Sequence, residues 1–134
     1  MGKFVGLQQD IYSVFAKQEW KAEQIATYPS LMVPDNPGQE YIRVSIVPSS
    51  QGINISSVSG ILIIDIFAAL ISGPKRPLQL ADTLDIFLVA KSIELSTGTT
   101  QFMGSSVSST QKDKDDPALS MTSYSIPFSY FGVN

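Results

Sequence analysis

Two apolar extended runs followed by an amphipathic helix dominate the hydrophobic pattern of this chain. The run at 41–47 alternates apolar and polar residues, which is typical of a half-buried strand. The run at 53–70 carries apolar residues at both odd and even positions of its central part, 61–67. A strand that is apolar on both faces is predicted to be central, with something covering each side.

Two segments show the spacing of three and four residues that marks an amphipathic helix. The first is 3–20, where Leu7 and Ile11 belong to the apolar stripe. The second is 77–91, which begins with a proline suited to the first helical position. In this second helix the apolar line is predicted to include Leu78, Ala81, Leu84 and Leu88, with Gln79, Asp82, Thr83 and Asp85 outward.

The last two strands are predicted at 99–109 and 119–131, joined by a charged loop around 112–116. Pro127 cannot donate a hydrogen bond to a ladder, which predicts an edge strand or a bulge there. Gly60 indicates a bulge or bend in the earlier strand. The elements together predict one α+β, sandwich-like domain over 1–134: a mainly antiparallel or mixed four-stranded sheet packed by two main helices.

The amino-acid composition limits the catalytic and metal-binding chemistry that this chain can perform. Among 134 residues there is no His and no Cys, so Ser-His-Asp and Cys-His catalysis and imidazole metal ligation are excluded. Lys91-Ser92 leaves Ser–Lys catalysis open, although a lysine near a helix end usually complements the helix dipole. We therefore predict a protein that is not an enzyme and has no cofactor.

The remaining composition argues against nucleic acid and membrane as ligands. The net charge of −3 offers no cationic field to hold DNA. The most apolar stretch, 61–71, is too short to span a bilayer and contains Asp65. The N-terminus lacks a signal-peptide pattern, and the lack of cysteine fits an intracellular protein. A soluble domain is predicted.

Charged residues at a few positions are the candidate contacts. Asp65 lies among apolar residues and requires a partner, either Arg43 on the neighbouring strand or a charge across a subunit boundary. The charged loop is either a solvated hairpin tip or a segment that orders against a partner, and it lacks the glycine and glutamate of a calcium-binding EF-hand. The full set of candidates for a subunit or tube interface is Arg43, Asp65, Lys75, Arg76, Lys112, Asp113, Lys114, Asp115 and Asp116. No catalytic or metal-binding residue is predicted.

The order of segments resembles the tail terminator proteins of long-tailed bacteriophages over nearly the whole chain. The most specific parts of the resemblance are PDNPGQEYIRV at 34–44, GILIIDIF at 60–67, LADTL at 80–84 and IPF at 126–128. The segment Tyr28-Pro29-Ser30 departs from the family layout, in which an asparagine is expected near this point.

This resemblance implies a subunit of a hexameric ring that binds the last ring of the tail tube, stops tube growth and provides a surface for joining the head. Its implied partners are other copies of itself, the tail tube protein and a head-completion or neck protein, and DNA passes through without specific binding. The implied location is the head-proximal end of the virion tail, after assembly in the host cytoplasm. The alternatives are a head-completion or neck protein, a tail tube subunit or, in a different class, a small-ligand-binding domain.

Overall fold

A computed structural model describes residues 2–32, 39–51, 55–94 and 98–132. Its helices are α1 (Lys3–Ala16), α2 (Gln18–Lys21) and α3 (Lys75–Leu88), with a single 3₁₀ turn at Leu70–Ser72. Its strands are β1 (Thr27–Pro29), β2 (Tyr41–Gln51), β3 (Ser57–Ala69), β4 (Ser92–Ile93), β5 (Thr99–Phe102), β6 (Ser106–Val107), β7 (Gln111–Lys112) and β8 (Leu119–Phe131). No helix in these ranges is long and apolar enough to cross a membrane.

All of these strands join one sheet, with the order β1-β2-β3-β8-β5-β4 and with β6 and β7 also paired to β8. The pair β1–β2 is parallel and every other pair is antiparallel. The prediction of a single domain that combines a mixed sheet with helices is confirmed. The prediction of four strands is wrong, because the described sheet has eight.

The additional strands are short, and this explains why the sequence pattern does not reveal them. β6 and β7 have two residues each, and all four residues are exposed. Such segments show no alternation of apolar and polar side chains. Their extended conformation comes from pairing with β8, a contact distant in sequence, so the predicted single strand at 99–109 is divided between β5 and β6.

The core lies between the helices and one face of the sheet, which we call the inner face. The even-numbered side chains of β3 and β8 point into it, and the apolar stripes of α1 and α3 cover them. Side chains that are almost fully buried there include Leu7, Ile11, Leu62, Ile64, Ile66, Leu80, Leu84, Tyr124, Ile126 and Phe128.

The predicted first helix is interrupted at Lys17, whose backbone is extended with φ −68° and ψ 148°. The break turns α2 so that Trp20 folds back into the core, where it is only 2% exposed. Its ring packs edge-on against Phe15 and Phe87 at centroid distances of 5.1 and 5.2 Å. Its indole N–H donates to the Thr27 hydroxyl at 3.0 Å, so the polar atom of this buried ring is satisfied.

α3 begins at Lys75, two residues before the proline that was predicted to open it. Its buried stripe consists of Pro77, Leu80, Ala81, Leu84 and Leu88. Leu78, predicted on the apolar line, is 47% exposed.

Pro127 lies in a central strand and in unbroken register with β3, so both of its predicted placements, at an edge strand or at a bulge, are wrong. β8 pairs with β3 along its full length and with shorter strands on its other side. The Met103 N–H donates to the Pro127 carbonyl at 3.0 Å, so the backbone polar groups of Pro127 face the second side. On that side of β8, the segment between β5 and β6 is not regularly paired. No hydrogen-bond donor is therefore required from Pro127 there.

Gly60 lies beside the irregularity that it was predicted to mark. The register between β2 and β3 shifts between Pro48 and Ser50, directly next to the Pro48–Gly60 pair, so the extra residue is in β2. A Cβ on Gly60 would collide with the Val47 carbonyl oxygen and would lie 2.9 Å from the Phe128 ring. The backbone therefore requires the absence of a side chain here.

We expect Gly60→Ala to lower the free energy of unfolding by about 1–3 kcal/mol, because the added methyl group meets backbone atoms that cannot easily move. Urea denaturation followed by tryptophan fluorescence measures this. Gly104→Ala is the matched control, since a Cβ there has no neighbour within 4 Å. Equal effects of the two substitutions would contradict the role assigned to Gly60.

Candidate interaction surface

The candidate site is the face of the sheet opposite the helices, which we call the outer face. Odd-numbered residues of β2, β3 and β8 form it, and the register aligns them in rows across the three strands. The rows are an aromatic row (Tyr41, Phe67, Met121), a charged row (Arg43, Asp65, Ser123), a serine–isoleucine row (Ser45, Ile63, Ser125) and an apolar row (Val47, Ile61, Pro127).

The apolar row is open to solvent. Val47 is 43% exposed, Ile61 is 39% exposed and Pro127 is also exposed. The sequence predicted that both faces of β3 would be covered, yet in the described part of the chain the helices cover only the inner face. The outer face therefore presents an exposed band of apolar side chains in the middle of the sheet.

The aromatic row is closed, because the end of the sheet where it lies has its own small core. Tyr41 stacks on Phe67 with centroids 4.3 Å apart, and Tyr28 meets Tyr41 edge-on at 5.7 Å. Leu119 and Met121 complete this cluster.

The charged loop at 113–116, which we call the acidic loop, lies at the same end of the sheet. The Leu119 N–H donates to the Asp116 carbonyl, and the Asp113 N–H donates to the Leu119 carbonyl, both at 3.0 Å. Burial raises the pKa of Tyr41, the Arg43 charge opposes that rise, and the carboxylates of the acidic loop add to it.

The charged row confirms the cross-strand partner predicted for Asp65. Arg43 Nη2 lies 3.8 Å from Asp65 Oδ2, and the Ser123 hydroxyl donates to Asp65 Oδ1 at 2.9 Å. The Arg43 guanidinium also lies over the Phe67 ring, 5.1 Å from its centroid. At 3.8 Å the two charged groups attract each other without a hydrogen bond. A role for them between subunits stays a prediction.

The two adjacent cations at the start of α3 have different surroundings. Arg76 Nε and Nη2 donate to the two carboxylate oxygens of Glu40, each at 2.8 Å, and this hydrogen bonding raises the pKa of Arg76. The bidentate pair ties α3 to the residue before β2. Lys75 is exposed, so it is the one of the two that is available to a neighbour. The sequence did not reveal Glu40 as the partner, because it is 36 residues away.

The predicted loop is shorter than expected and its backbone is ordered by its own side chains. Lys112 belongs to β7 and pairs with Ser120. The Asp116 N–H donates to Asp113 Oδ2 at 3.2 Å, and the Ala118 N–H donates to Asp116 Oδ1 at 3.0 Å. Within the described ranges no group of three or more carboxylates is arranged to hold a metal ion. Lys114 and Asp115 lie exposed at the tip.

A polar network between α3 and the sheet was not predicted from the sequence. Asp85, expected to point outward, accepts hydrogen bonds from the Tyr124 hydroxyl at 2.7 Å and from the Ser105 hydroxyl at 2.5 Å. Burial and the hydrogen bond to Asp85 raise the pKa of Tyr124. The sequence did contain a signal for this network, since a tyrosine on the buried face of a strand needs a hydrogen-bond partner for its hydroxyl.

Comparison with known proteins supports the fold. No family model matches this chain, and no curated protein matches it. A solved structure with 11% sequence identity is similar over 97% of this chain and 94% of its own length, with a TM-score of 0.66. At this identity the similarity shows a shared fold alone.

We expect a weak interaction between Arg43 and Asp65 in the isolated chain. The pair is 3.8 Å apart and partly exposed, so a double-mutant cycle with Arg43→Gln and Asp65→Asn should give a coupling free energy below about 1 kcal/mol. Chemical denaturation of the four proteins measures it. A coupling above about 2 kcal/mol would mean instead that the pair is a main stabilising element of the sheet.

Proposed function

We propose that this chain is a structural protein of the tail terminator type. Copies of it form a hexameric ring on the end of a phage tail tube, stop tube polymerisation and present a surface for joining the head. The observation that supports this most directly is the outer face, where an apolar row and a loosely paired charged row lie uncovered on a sheet whose other face is fully packed.

The short strands at the two edges of the sheet favour contacts between subunits through the faces of the sheet, and not through pairing of edge strands. The long strands β2, β3 and β8 occupy the middle of the sheet, while β1 and β4 at its two ends have three and two residues. Short edge strands discourage uncontrolled edge-to-edge addition of further copies. The exposed apolar row is then the part of the sheet that gains most from a neighbouring subunit.

Charge supports a structural role around DNA rather than a role in gripping it. The net charge of −3 gives a ring of such subunits a negative potential, which lets DNA pass without specific binding. The proposed partners are the tail tube protein on one side and a head-completion or neck protein on the other. The proposed location is the head-proximal end of the tail, after assembly in the host cytoplasm.

A terminator binds one face of the terminal tube ring, so each growing tube end that it binds stops growing. Tubes assembled with increasing amounts of this protein should become shorter and carry extra density at one end, as measured by negative-stain microscopy. The variant Ile61→Lys should abolish the shortening, because it places a charge in the apolar row. Leu31→Lys is the matched control, since Leu31 is 98% exposed and belongs to none of the three strands that form the outer face.

Other outcomes of this assay would point to the alternative functions. Incorporation along the whole tube would indicate a tube subunit. Tubes of unchanged length with no density at either end would overturn the terminator function and favour a head-completion or neck protein.

A further inference from the structure

The side of α3 that faces away from the sheet carries a stripe of exposed residues at four-residue intervals. Leu78 is 47% exposed, Ile86 is 70% exposed, and Asp82 between them is also exposed. Residues four apart lie on the same side of a helix and are separated by about 6 Å along its axis. Two apolar side chains thus flank one carboxylate. We call these three residues the outer stripe.

The outer stripe and the outer face lie on opposite sides of the molecule. α3 packs on the inner face through Leu80, Leu84 and Leu88, so its outer stripe points away from the sheet. The outer face points in the other direction. One copy therefore cannot bring these two surfaces together, while two copies in head-to-tail arrangement can.

The spacing of the two surfaces matches. Adjacent rows of the outer face are separated by two residues along each strand, or about 7 Å. If Asp82 of one copy lies beside Arg43 of the next, Ile86, about 6 Å further along the helix, falls on the serine–isoleucine row. There it borders the open apolar row, which lies about 7 Å beyond. Leu78 then falls over the aromatic row.

Charge selects this direction for the helix. Lys75 precedes Asp82 by seven residues, or about 10 Å. In the chosen direction it lies beyond the aromatic row, where Asp113, Asp115 and Asp116 of the acidic loop are placed, interspersed with Lys112 and Lys114. In the reverse direction Lys75 would lie between the serine–isoleucine row and the apolar row, about 7 and 14 Å from Arg43, and neither row contains a carboxylate.

Arg43 is suited to accept a second carboxylate. Its guanidinium lies 3.8 Å from Asp65, too far for a hydrogen bond between them, so N–H donors remain for another acceptor. Asp65 adds a like charge near the incoming Asp82. The contact therefore sets the register of the two copies more than it adds affinity.

We infer that the outer stripe of α3 in one copy packs on the outer face of the next copy, with Asp82 beside Arg43 and Ile86 against Ile63 at the border of the open apolar row. This inference rests on the proposed function for its role in forming a ring. It adds to that function the contact between neighbouring subunits. The interface is heterologous, so it joins unlike surfaces and closes into a ring when the rotation between copies is right. Each sheet then gains a helix on its second face.

The absence of cysteine from the chain permits a clean cross-linking test. A double variant, Ile61→Cys with Ile86→Cys, is treated with a short bis-maleimide, alone and in the presence of tail tubes. A heterologous contact links each copy to two neighbours, so denaturing electrophoresis should show a ladder of dimers, trimers and larger species. Each single variant should stop at the dimer, because it has one thiol per copy.

The matched control is Leu31→Cys with Ile86→Cys, in which the second thiol lies on a more exposed residue outside the outer face. It should give at least about tenfold less of the species above the dimer. An equal ladder from this control would overturn the proposed contact. So would the absence of species above the dimer from the Ile61 and Ile86 pair in both conditions.

A charge reversal tests the register. Adding Asp82→Arg to the double cysteine variant should reduce the ladder by about tenfold, because two cations would meet at Arg43. Glu23→Arg changes the net charge equally at another exposed position and should leave the ladder unchanged. Equal ladders with Asp82→Arg and with Glu23→Arg would overturn the pairing of Asp82 with Arg43. Melting temperatures confirm that both variants are folded.

The tube assay keeps failure of this contact separate from failure of the proposed function. Shortened tubes without a ladder would leave the terminator function in place and reject the contact. A ladder without shortened tubes would support the contact and reject the function.

Discussion

The packing of α1 and α3 on the inner face of the sheet is the interaction on which the rest of the structure depends. Burial of the even-numbered side chains of β3 and β8 removes large apolar side chains such as Ile64, Ile126 and Phe128 from water. Because side chains alternate along a strand, this burial also places the odd-numbered side chains on the outer face. The pairing of Arg43 with Asp65 and the exposure of the apolar row are consequences of the same register.

Buried polar groups tie the helices to the less regular part of the sheet. Asp10 of α1 accepts a hydrogen bond from Thr100 of β5 at 2.8 Å, and Asp85 of α3 accepts from Tyr124 and Ser105. In the ranges that the structure describes, every buried side-chain polar atom has a hydrogen-bond partner. These contacts offset the cost of burying carboxylates, and they hold the connection between β5 and β6 against α3.

Much of the regular structure was predictable from local pattern. The alternation at 41–47, the two-sided apolar run in β3 and the stripes of α1 and α3 all appear in the structure, because each buries a periodic set of side chains. β4, β6 and β7 were not predictable, since their conformation depends on pairing with distant strands. The break at Lys17 follows likewise from the burial of Trp20, and the Arg76–Glu40 pair from the approach of two separate segments. The same division applies to the proposed interface. Arg43, Asp65 and Lys75 were candidates from the sequence, and Asp82 was predicted only to point outward. The exposure of Leu78 and Ile86 is known only from the structure.

The sequence by itself determined which chemistry is unavailable, because a chain without His and Cys excludes the catalytic groups and ligands that those side chains provide. It also determined that β3 would be central, because apolar side chains on both faces of a strand are costly at an edge. Only the tertiary structure decided which of those faces the helices cover and which stays open. The physical reason is that side chains alternate along a strand with a period of two residues. This alternation assigns each side chain to one of two faces, but it does not specify which face the helices cover. That distinction comes from helices that are distant in sequence and from the shape of the space between them.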